Sequence, residues 1–382
     1  MSEVYIGGVG TVKFGSFPTT PNYVAPTYAV LNALEDAGIT WKDVQAAFCG
    51  SVYQGTGSGH QALREIGLSG IPIVNIENAC SSGSSAVRMA MQSVASGKYD
   101  IVLALGFEKL PKGAIPSTAF RPWQLAQGFN VQPANYALET MEYMHEYGIT
   151  IDQVSAVTMK NRFNATMNPN ARFQKAVTME EINASRMIAT PLRLFHCAPT
   201  ADGAAAVIVM NKSKLKNPER AVKILASEMV SGKYGDEFYQ NGMMKSVKYR
   251  PEISFTRQSA LDAYKVAGVG PEDIDVLQAY DSMAPSELWD LEALMFAGPG
   301  EAGHLMEEGY FSLGGKKPSN TDGGLIGRGH PLGASGTAQI VEVVTQLRGE
   351  AGQRQVNGAR LGLTHTCGAG PNSTVTILQS NK

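Results

Sequence analysis

Three short segments of the sequence combine a thiol or imidazole group with small residues, and Cys80 lies in the first of them. It follows the apolar run IPIVNI and precedes the segment SSGSSA, after which apolar residues recur with helical spacing. This pattern predicts a thiol between a strand and the first turn of a helix. A helix N-terminus favours negative charge and lowers the pKa of a cysteine, so the thiolate becomes available. Cys80 is therefore the candidate nucleophile.

His330 lies in the second segment, GRGHPLGASG, and the third segment, THTCGAGPNS, contains His365 and Cys367. Glycines in such segments allow close approach of the backbone to a ligand and leave backbone N–H groups available. A thiolate beside a histidine is an arrangement used in covalent acyl transfer. The residue types therefore favour acyl-group chemistry, provided that the fold brings them together.

An internal repeat suggests how the fold does this. The segment LEDAGITWKDVQAAFCG aligns without a gap with YKVAGVGPEDIDVLQAY, and each predicts a helix end, an Ala-Gly cap and a strand. Residues 80–97 align in turn with residues 330–349. In this alignment Cys80 falls on His330, each at the start of a helix of small residues. A pseudo-twofold relation between the halves would bring the two helix starts together.

The repeat predicts a duplicated α/β chain of alternating strands and helices. We expect the first half to span residues 1–115 and to be completed by residues 191–218. The second half is expected to span residues 219–382. Residues 116–190 interrupt the repeat and predict an inserted, partly helical loop domain, a type of segment that often covers a binding cleft.

Composition excludes several other classes. The 382 residues carry a formal net charge of -2, and no segment concentrates Lys and Arg, so neither nucleic acid nor a membrane surface is an expected partner. The four cysteines are far apart and fit no metal-ligand spacing or compact disulfide framework, so no bound metal is expected. No signal peptide or membrane span is recognisable, which predicts a cytoplasmic protein with free thiols.

The segment NTDGGLIGRGHPLGASG resembles the thiolase signature, in which Asn and paired Gly precede Gly-His-Pro-x-Gly-x-Ser-Gly. ACSSGSSA resembles the Cys-x-Ser nucleophile motif of that family. PLRLFHCAPTADGAAAVIV and NPNARF resemble segments around its loop domain. The His-x-x-Gly-x-Gly form of HTCGAG and the block YDSMAPSEL are similar to thiolases of the sterol-carrier-protein type. The resemblance runs through essentially the whole chain.

The resemblance implies a duplicated thiolase fold. In that fold two mixed five-stranded sheets have helices layered between and around them (αβαβα), and a loop domain is inserted. It also implies a homodimer or higher oligomer, because thiolases pair through an edge strand of the first half. The implied reaction is CoA-dependent cleavage of a 3-oxoacyl-CoA, or the reverse Claisen condensation. CoA would be a co-substrate, and no bound cofactor is implied.

The resemblance also implies residue roles. Cys80 would be the acylated nucleophile, and His330 would take its proton and help to hold the thioester oxygen. Cys367 would protonate the leaving enolate or remove the α-proton, and His365 would share or support that role. The main acid/base is therefore either Cys367 or His365.

Two positions depart from the family. Thiolases usually have Asn-Glu-Ala-Phe or His-Asp-x-Phe where this chain has YDSM, so Tyr280 replaces a residue that holds an oxyanion-hole water. The family motif Cys-x-Gly here becomes Cys367-Gly368-Ala369, whose backbone N–H groups would complete an oxyanion hole with that of Cys80. These departures favour a specialised branched, aromatic or dicarboxylic acyl chain. Benzoylsuccinyl-CoA is an example.

No basic run marks a site for the phosphates of CoA. Lys160, Arg162 and Arg172 in the insert are the candidate ligands. Some sterol-carrier-type thiolases work with a small zinc-ribbon/OB-fold protein that helps to bind CoA, and such a subunit is a second candidate.

Alternative functions stay open at this point. One is an acetoacetyl-CoA thiolase that works with the zinc-ribbon/OB-fold partner. Another is a decarboxylating ketosynthase that uses Cys80, His330 and His365. A thiolase-fold aldolase or lyase is a third, because such relatives often vary at the position of Tyr280, although they tend to lose the nucleophile. A non-catalytic acyl-CoA-binding or scaffolding subunit is the fourth.

Overall fold

A computed structural model describes residues 3–111, 122–127, 131–233, 254–369 and 372–381. The strands are β1 Val4–Thr11, β2 Ala46–Gly50, β3 Ile73–Ile76, β4 Ile101–Glu108, β5 Met187–Ala189, β6 Leu192–Arg193, β7 Gly203–Asn211, β8 Val222–Ser231, β9 Val276–Gln278, β10 Leu361–Gly368 and β11 Asn372–Ser380. The α-helices are α1 Val24–Ala37, α2 Ser58–Arg64, α3 Ser82–Ala95, α4 Pro122–Ala126, α5 Gln132–Tyr147, α6 Ile151–Thr166, α7 Met179–Ala184, α8 Phe255–Ala267, α9 Ala284–Ala293, α10 Ala302–Glu307, α11 Gly324–Arg328 and α12 Leu332–Arg348. None of these helices is both long and apolar enough to cross a membrane.

The main sheet is mixed, with the strand order β3-β2-β4-β7-β1-β8-β11-β10-β9. Its first five strands come from the first half of the chain and its last four from the second half. The two groups join where β1 pairs with β8, through Tyr5 with Lys223 and Ile6 with Val222. The two groups of strands are therefore continuous through a short antiparallel contact.

The second half differs from the expected five strands. Within the described residues the position of its fifth strand holds a bridge between Leu277 and Ser319. Pro318 has no N–H to donate, and Asn320 has a left-handed φ of 51°, so neither residue can continue a regular strand. Within the described residues this half therefore has four strands and one bridge.

The element order repeats as the sequence predicts. Helices α1 and α8 both end at a glycine in the left-handed conformation, Gly38 with φ 65° and Gly268 with φ 70°. A short 3-10 turn and a buried strand follow in each half, β2 in the first and β9 in the second. The order β2-β4-β7-β1 in the first group corresponds to β9-β10-β11-β8 in the second.

The equivalent helices α3 and α12 touch at their N-terminal turns. A Cβ atom on Gly83 would lie 2.5 Å from the carbonyl oxygen of Gly333, and one on Gly336 would lie 2.8 Å from the backbone nitrogen of Ser84. Both distances are shorter than a normal non-bonded contact, so these helices approach closely because the contact positions are glycine. This contact brings the segments of Cys80 and His330 together.

The insert between β4 and β7 contains α4 to α7 and the β5–β6 hairpin, and its residues 112–121 and 128–130 lie outside the described residues. The hydroxyl of Thr150 accepts from the N–H of Gln153 and begins α6 with a capping box. Helix α6 packs against α9, α10 and α11 of the second half. The predicted, partly helical insert therefore lies beside the segment that leads to His330.

Candidate active site

Cys80 lies in a tight turn between β3 and α3. Ala79 has a φ of 48°, a left-handed conformation that is uncommon for a residue with a side chain. The N–H of Ser81 donates to the carbonyl of Asn78 at 3.1 Å, and the N–H of Ser82 donates to that of Ala79 at 3.0 Å. Helix α3 begins at Ser82 after the N-cap residue Ser81, so Cys80 lies two residues before the helix. Backbone outliers of this kind cluster at functional sites.

This turn packs directly against the end of β10. A Cβ atom on Gly368 would lie 2.5 Å from the carbonyl oxygen of Asn78. The hydroxyl of Ser81 donates to the carbonyl of Thr366 at 3.2 Å, and the amide of Asn372 donates to the side chain of Asn78 at 2.9 Å. The first and second halves of the chain therefore meet at the two cysteine-containing segments.

His330 is buried, and both of its ring nitrogens have partners. Nδ1 lies 2.7 Å from the hydroxyl of Ser335, which itself donates to the carbonyl of Pro331 at 3.1 Å. The oxygen of Ser335 therefore accepts the Nδ1 proton, which leaves Nε2 unprotonated. Burial, together with the Arg328 guanidinium, lowers the pKa of His330 to about 3. The imidazole is uncharged at neutral pH and can serve as a base.

Tyr280 lies between this imidazole and the candidate nucleophile. Its hydroxyl is 3.2 Å from Nε2 of His330 and also forms a hydrogen bond with the side chain of Cys80. Burial, and next the charge of Cys80, raise the pKa of Tyr280 well above its ordinary value, so the side chain stays a neutral phenol. One hydroxyl can accept the thiol proton of Cys80 while it donates its own proton to His330.

Cys367 and His365 form a second thiol–imidazole pair. Sγ of Cys367 lies 3.2 Å from Nε2 of His365. The hydroxyl of Thr256 on α8 lies 3.3 Å from the same nitrogen and 3.5 Å from the same sulfur. Nδ1 of the ring is 3.7 Å from Oδ2 of Asp290 on α9, and ligand atoms of Cys367, His365 and Asp290 lie within 4.8 Å of one another. The four side chains are buried.

Both thiols border one apolar cluster. The buried residues of this cluster are Phe255, Tyr280, Leu325 and Cys367, and the partly buried residues against it are Cys80, Ala198, Val230 and Ala369. The cluster thus contains or contacts five of the predicted positions, when Gly368 at the adjoining end of β10 is included. Low polarity around a thiol and an imidazole strengthens electrostatic interactions with any charge that develops there.

The prediction that Lys160 binds the phosphates of CoA does not fit its position. Its ammonium group lies 2.8 Å from a carboxylate oxygen of Glu287 and is buried with it. It also donates to the side chain of Asn161 at 2.6 Å and to the carbonyl of Ser319 at 2.9 Å. The N–H groups of the ammonium group are therefore occupied by protein partners. Glu287 is within reach because α6, which carries Lys160, packs against α9. We therefore correct Lys160 to a buried structural cation.

The two predicted arginine ligands occupy different surroundings. The guanidinium of Arg162 stacks 3.9 Å from the centre of the Phe173 ring and donates to the carbonyl of Lys175 at 3.2 Å. The guanidinium of Arg172 donates to the carbonyl of Thr200, a residue that bridges to His330. Of the two, Arg172 borders the candidate active site.

The remaining cysteines differ from this pair of thiols. Burial raises the pKa of the Cys49 thiol to about 12 and that of the Cys197 thiol to about 11. Both are therefore thiols at neutral pH and poor nucleophiles.

Sequence analysis missed three polar residues of the site: Ser335, Thr256 and Asp290. Ser335 lies in the aligned segment 330–349, but the alignment assigns no role to it. Asp290 could have been recognised from the sequence, because it follows Glu287 by three residues in the mostly apolar segment SELWDLEALMF. Acidic residues at that spacing share one helix face, and here that face is buried.

Comparison with known families agrees with the fold and the motifs. The thiolase N-terminal domain family matches residues 14–213, and the family described as thiolase C-terminal domain-like matches residues 242–381. The chain therefore belongs to the thiolase family, and it is an acyltransferase of that family. The expected mixed α/β thiolase fold is confirmed.

Several relatives are similar over almost the whole chain. The acetyl-CoA acetyltransferase of Methanothermobacter thermautotrophicus is 38% identical over 96% of this chain and 97% of that protein. Sterol carrier protein 2 of Bos taurus is 37% identical over 98% of this chain and 72% of that protein. The benzoylsuccinyl-CoA thiolase subunit BbsB of Thauera aromatica is 33% identical over 96% of this chain and 95% of that protein. The predicted resemblance to sterol-carrier-type thiolases is confirmed.

Among solved structures, the Ltp2-ChsH2(DUF35) aldolase superposes with a TM-score of 0.86 at 26% identity. The match covers 100% of this chain and 98% of that chain. The chain matches thiolase families in sequence and an aldolase in structure, so the substrate and the steps of the reaction are argued from the side chains.

Proposed function

We propose that the chain cleaves a 3-oxoacyl-CoA with CoA, through an acyl group carried on Cys80. The same groups would catalyse the reverse Claisen condensation. The observation that carries the proposal is the convergence of two thiols on one apolar cluster, each with an imidazole within one or two hydrogen bonds. Thiolytic cleavage needs a nucleophilic thiol and a separate proton donor for the enolate, and the two thiols supply these.

The first half-reaction forms the acyl-enzyme. The thiol proton of Cys80 passes to the oxygen of Tyr280, while the phenol proton of Tyr280 passes to Nε2 of His330. Sγ of Cys80 then attacks the ketone carbon, and the bond between this carbon and the α-carbon breaks. The electron pair stays on the α-carbon as a thioester enolate, which takes a proton from Cys367.

The second half-reaction releases the acyl group. The thiol of CoA gives its proton to the Cys367 thiolate and attacks the thioester carbonyl on Cys80. The bond to Sγ breaks, and Cys80 recovers its proton from His330 through Tyr280. Atoms and charges balance over the two half-reactions without a bound cofactor, and CoA is a co-substrate.

Oxyanion stabilisation is assigned to backbone donors at the junction of the two halves. The N–H groups of Cys80, Gly368 and Ala369 lie where the turn before α3 meets the end of β10. Preorganised donors of this kind typically contribute about 3 to 4 kcal/mol at the transition state. The phenol of Tyr280 replaces the water that thiolases usually hold at this position.

The substrate is proposed to carry an apolar or aromatic acyl group, and benzoylsuccinyl-CoA is the specific candidate. The apolar lining by Phe255, Leu325 and Val230 supports this choice, as does the likeness to the benzoylsuccinyl-CoA thiolase subunit BbsB. Arg172 stays the proposed contact for a CoA phosphate from the insert. A homodimer or higher oligomer, and a zinc-ribbon/OB-fold subunit that completes the CoA site, belong to the same proposal. The structural likeness to the Ltp2-ChsH2(DUF35) aldolase, whose name joins two components, supports the second subunit.

The test is acyl loading followed by mass spectrometry. The protein is incubated with acetyl-, succinyl-, benzoyl- and benzoylsuccinyl-CoA, and its intact mass and peptide map are recorded. We expect one acyl adduct, on Cys80, from the substrate class that the enzyme uses, and none in Cys80→Ala. Cys197→Ala is the matched control, because it removes a thiol outside the site. Absence of an adduct both alone and with candidate zinc-ribbon/OB-fold subunits would rule out the acyl-Cys80 intermediate.

A thiolase-fold aldolase is the second candidate, because the buried phenol of Tyr280 contacts an imidazole with an unprotonated Nε2. Such a pair can remove the hydroxyl proton of a 3-hydroxyacyl-CoA and start retro-aldol cleavage. The variant Cys80→Ala separates the two functions. Thiolysis of a 3-oxoacyl-CoA is lost in this variant, whereas retro-aldol cleavage of a 3-hydroxyacyl-CoA is retained.

A further inference from the structure

We propose that Asp281 is a positioning residue that connects the inserted segment to Tyr280, and so fixes the phenol that joins Cys80 to His330. The inference deepens the proposed function and rests on it, because Tyr280 is the proton bridge of the first half-reaction. Asp281 acts through its neighbour Tyr280 and is given no chemical step of its own.

The carboxylate of Asp281 holds the start of helix α11. It is fully buried and accepts from the N–H of Leu325 at 2.7 Å and from the N–H of Ile326 at 3.1 Å. A Cβ atom on Gly324 would lie 2.4 Å from the same carboxylate, which is shorter than a normal non-bonded contact. The helix can therefore approach the carboxylate this closely because residue 324 is glycine.

Helix α11 leads directly to the first imidazole of the site. The side chain of Leu325 belongs to the apolar cluster between the two thiols. The N–H of Gly329, which precedes His330, donates to the carbonyl of Leu325 at 3.0 Å. Arg328, at the end of the same helix, is the cation that lowers the pKa of His330. A carboxylate that fixes the start of α11 therefore also helps to place His330.

The same carboxylate restrains the backbone at Tyr280, because Asp281 is the next residue in the chain. The carbonyl of Tyr280 is held as well, by a hydrogen bond from the hydroxyl of Ser286 at 3.2 Å. The phenol oxygen lies 3.2 Å from Nε2 of His330, which is near the upper limit of a hydrogen bond. A shift of about 1 Å would break this contact, and misplacements of that size are known to slow catalysis.

Two helices of the insert contact the residues that directly follow Tyr280. The amide of Asn161 on α6 donates to Oδ2 of Asp281 at 2.8 Å and to a carboxylate oxygen of Glu287 at 2.7 Å. The hydroxyl of Tyr136 on α5 lies 2.8 Å from the hydroxyl of Ser282. A displacement of the insert is therefore transmitted to the phenol. Since the insert also carries the proposed CoA contact, binding of CoA would act on the phenol by the same route.

The charges around Asp281 determine how it is tested. Glu287 shares the amide donor with Asp281 and forms an ion pair with Lys160 at 2.8 Å. Burial, and next the charge of Glu287, raise the pKa of Asp281, whereas the backbone donors of α11 lower it. At mildly alkaline pH the carboxyl is ionised and both oxygens accept. In Asp281→Asn one acceptor oxygen is replaced by an amide nitrogen, which can only donate.

The experiment measures how fast iodoacetamide alkylates Cys80 at mildly alkaline pH, with peptide mapping to identify the modified thiol. Because the Cys80 proton leaves through Tyr280, Asp281→Asn should slow this alkylation about tenfold, equivalent to one pKa unit. A double-mutant cycle distinguishes positioning from a general structural role. In the Tyr280→Phe background, Asp281→Asn should change the rate by less than about twofold, because the phenol through which it acts is already absent.

Asn161→Ala tests the connection to the insert and leaves both Asp281 and α11 unchanged. It should slow the alkylation of Cys80 about threefold, and this effect should also disappear in the Tyr280→Phe background. Glu292→Gln is the matched control. It removes a buried carboxylate of α9 that accepts from the hydroxyl of Tyr143 at 2.5 Å, and it should leave the rate at the wild-type value.

Three outcomes would overturn the positioning role of Asp281. They are a wild-type rate in Asp281→Asn, an equal loss in Glu292→Gln, and effects of Asp281→Asn and Tyr280→Phe that multiply. If Asp281→Asn does not fold, the cycle of Asn161→Ala with Tyr280→Phe decides in its place. A wild-type rate in Tyr280→Phe would instead contradict the proton bridge of the proposed function. No acyl-CoA is used, so the outcome is independent of the acyl-loading test.

Discussion

The two thiol–imidazole pairs of the site have opposite electrostatic surroundings. His330 contacts a neutral phenol and a serine hydroxyl, and its charged neighbour is the Arg328 guanidinium. His365 contacts the thiol of Cys367, and its Nδ1 lies 3.7 Å from the Asp290 carboxylate. Both imidazoles are buried, so the sign of the neighbouring charge distinguishes them.

This difference in neighbouring charge explains how one fold can hold two thiols in different roles. A buried imidazole beside a cation resists protonation and is kept as a free base, which suits removal of the Cys80 proton when the substrate is in place. A buried imidazole beside a carboxylate stabilises positive charge, which suits a group that stores a proton for an enolate. The proposed division of labour between Cys80 and Cys367 follows from this contrast.

Replacing Cys367, the second thiol, is expected to give the largest effect on activity. In Cys367→Ala the acyl adduct on Cys80 should still form from an acyl-CoA that loads the wild-type protein, because His330 and Tyr280 are intact. Thiolysis should fall by about 10³-fold or more, since the enolate loses its proton donor. Steady-state thiolysis and adduct mass check the two outcomes. Cys197→Ala, a thiol outside the site, is the control, and parallel loss of loading and thiolysis in Cys367→Ala would contradict separate roles.

Tyr280→Phe tests the first pair alone. Acylation of Cys80 should slow by about 10²-fold to 10³-fold, because the hydroxyl that joins its thiol to His330 is removed. Tyr264→Phe is the matched control, since that buried hydroxyl donates to the carbonyl of Leu294 at 3.0 Å, outside the site. Rapid-quench measurement of adduct formation gives the rates, and a Cys80 acylation rate equal to wild type would show that the phenol carries no proton.

The pH dependence of stability gives a smaller effect. The pKa of His330 is lowered to about 3 in the folded protein from an ordinary 6.5, so the unfolded chain binds the extra proton between these values. The contribution of His330 to the free energy of unfolding is therefore fully present above about pH 6.5 and decreases as the pH falls toward 3.

His330→Gln removes this contribution. Between about pH 7 and pH 5 the wild-type protein should lose about 2 kcal/mol more of its free energy of unfolding than the variant. Urea denaturation at the two pH values measures the difference. Equal pH dependence in wild type and His330→Gln would contradict a neutral, buried His330.

Local sequence patterns predicted much of the fold and the chemical groups of the site. The Ala-Gly helix ends before β2 and β9 were visible because a left-handed cap requires glycine. Cys80 and His330 were recognisable because small residues before a helix are a local feature. The insert was visible as a break in the repeat. The family resemblance implied five strands in each half, and the second half has a bridge at Ser319, where Pro318 and Asn320 do not continue a strand.

Contacts between distant residues were decided by the tertiary structure. The sequence by itself determined which residues carry thiols, imidazoles and glycines, and therefore the family and the class of chemistry. It did not determine that Tyr280 would bridge Cys80 and His330, or that Asp290 would face His365. It also did not show that Lys160 would form a buried ion pair with Glu287. Each of these depends on how helices pack, and packing sets the burial, the neighbouring charge and hence the pKa of a side chain.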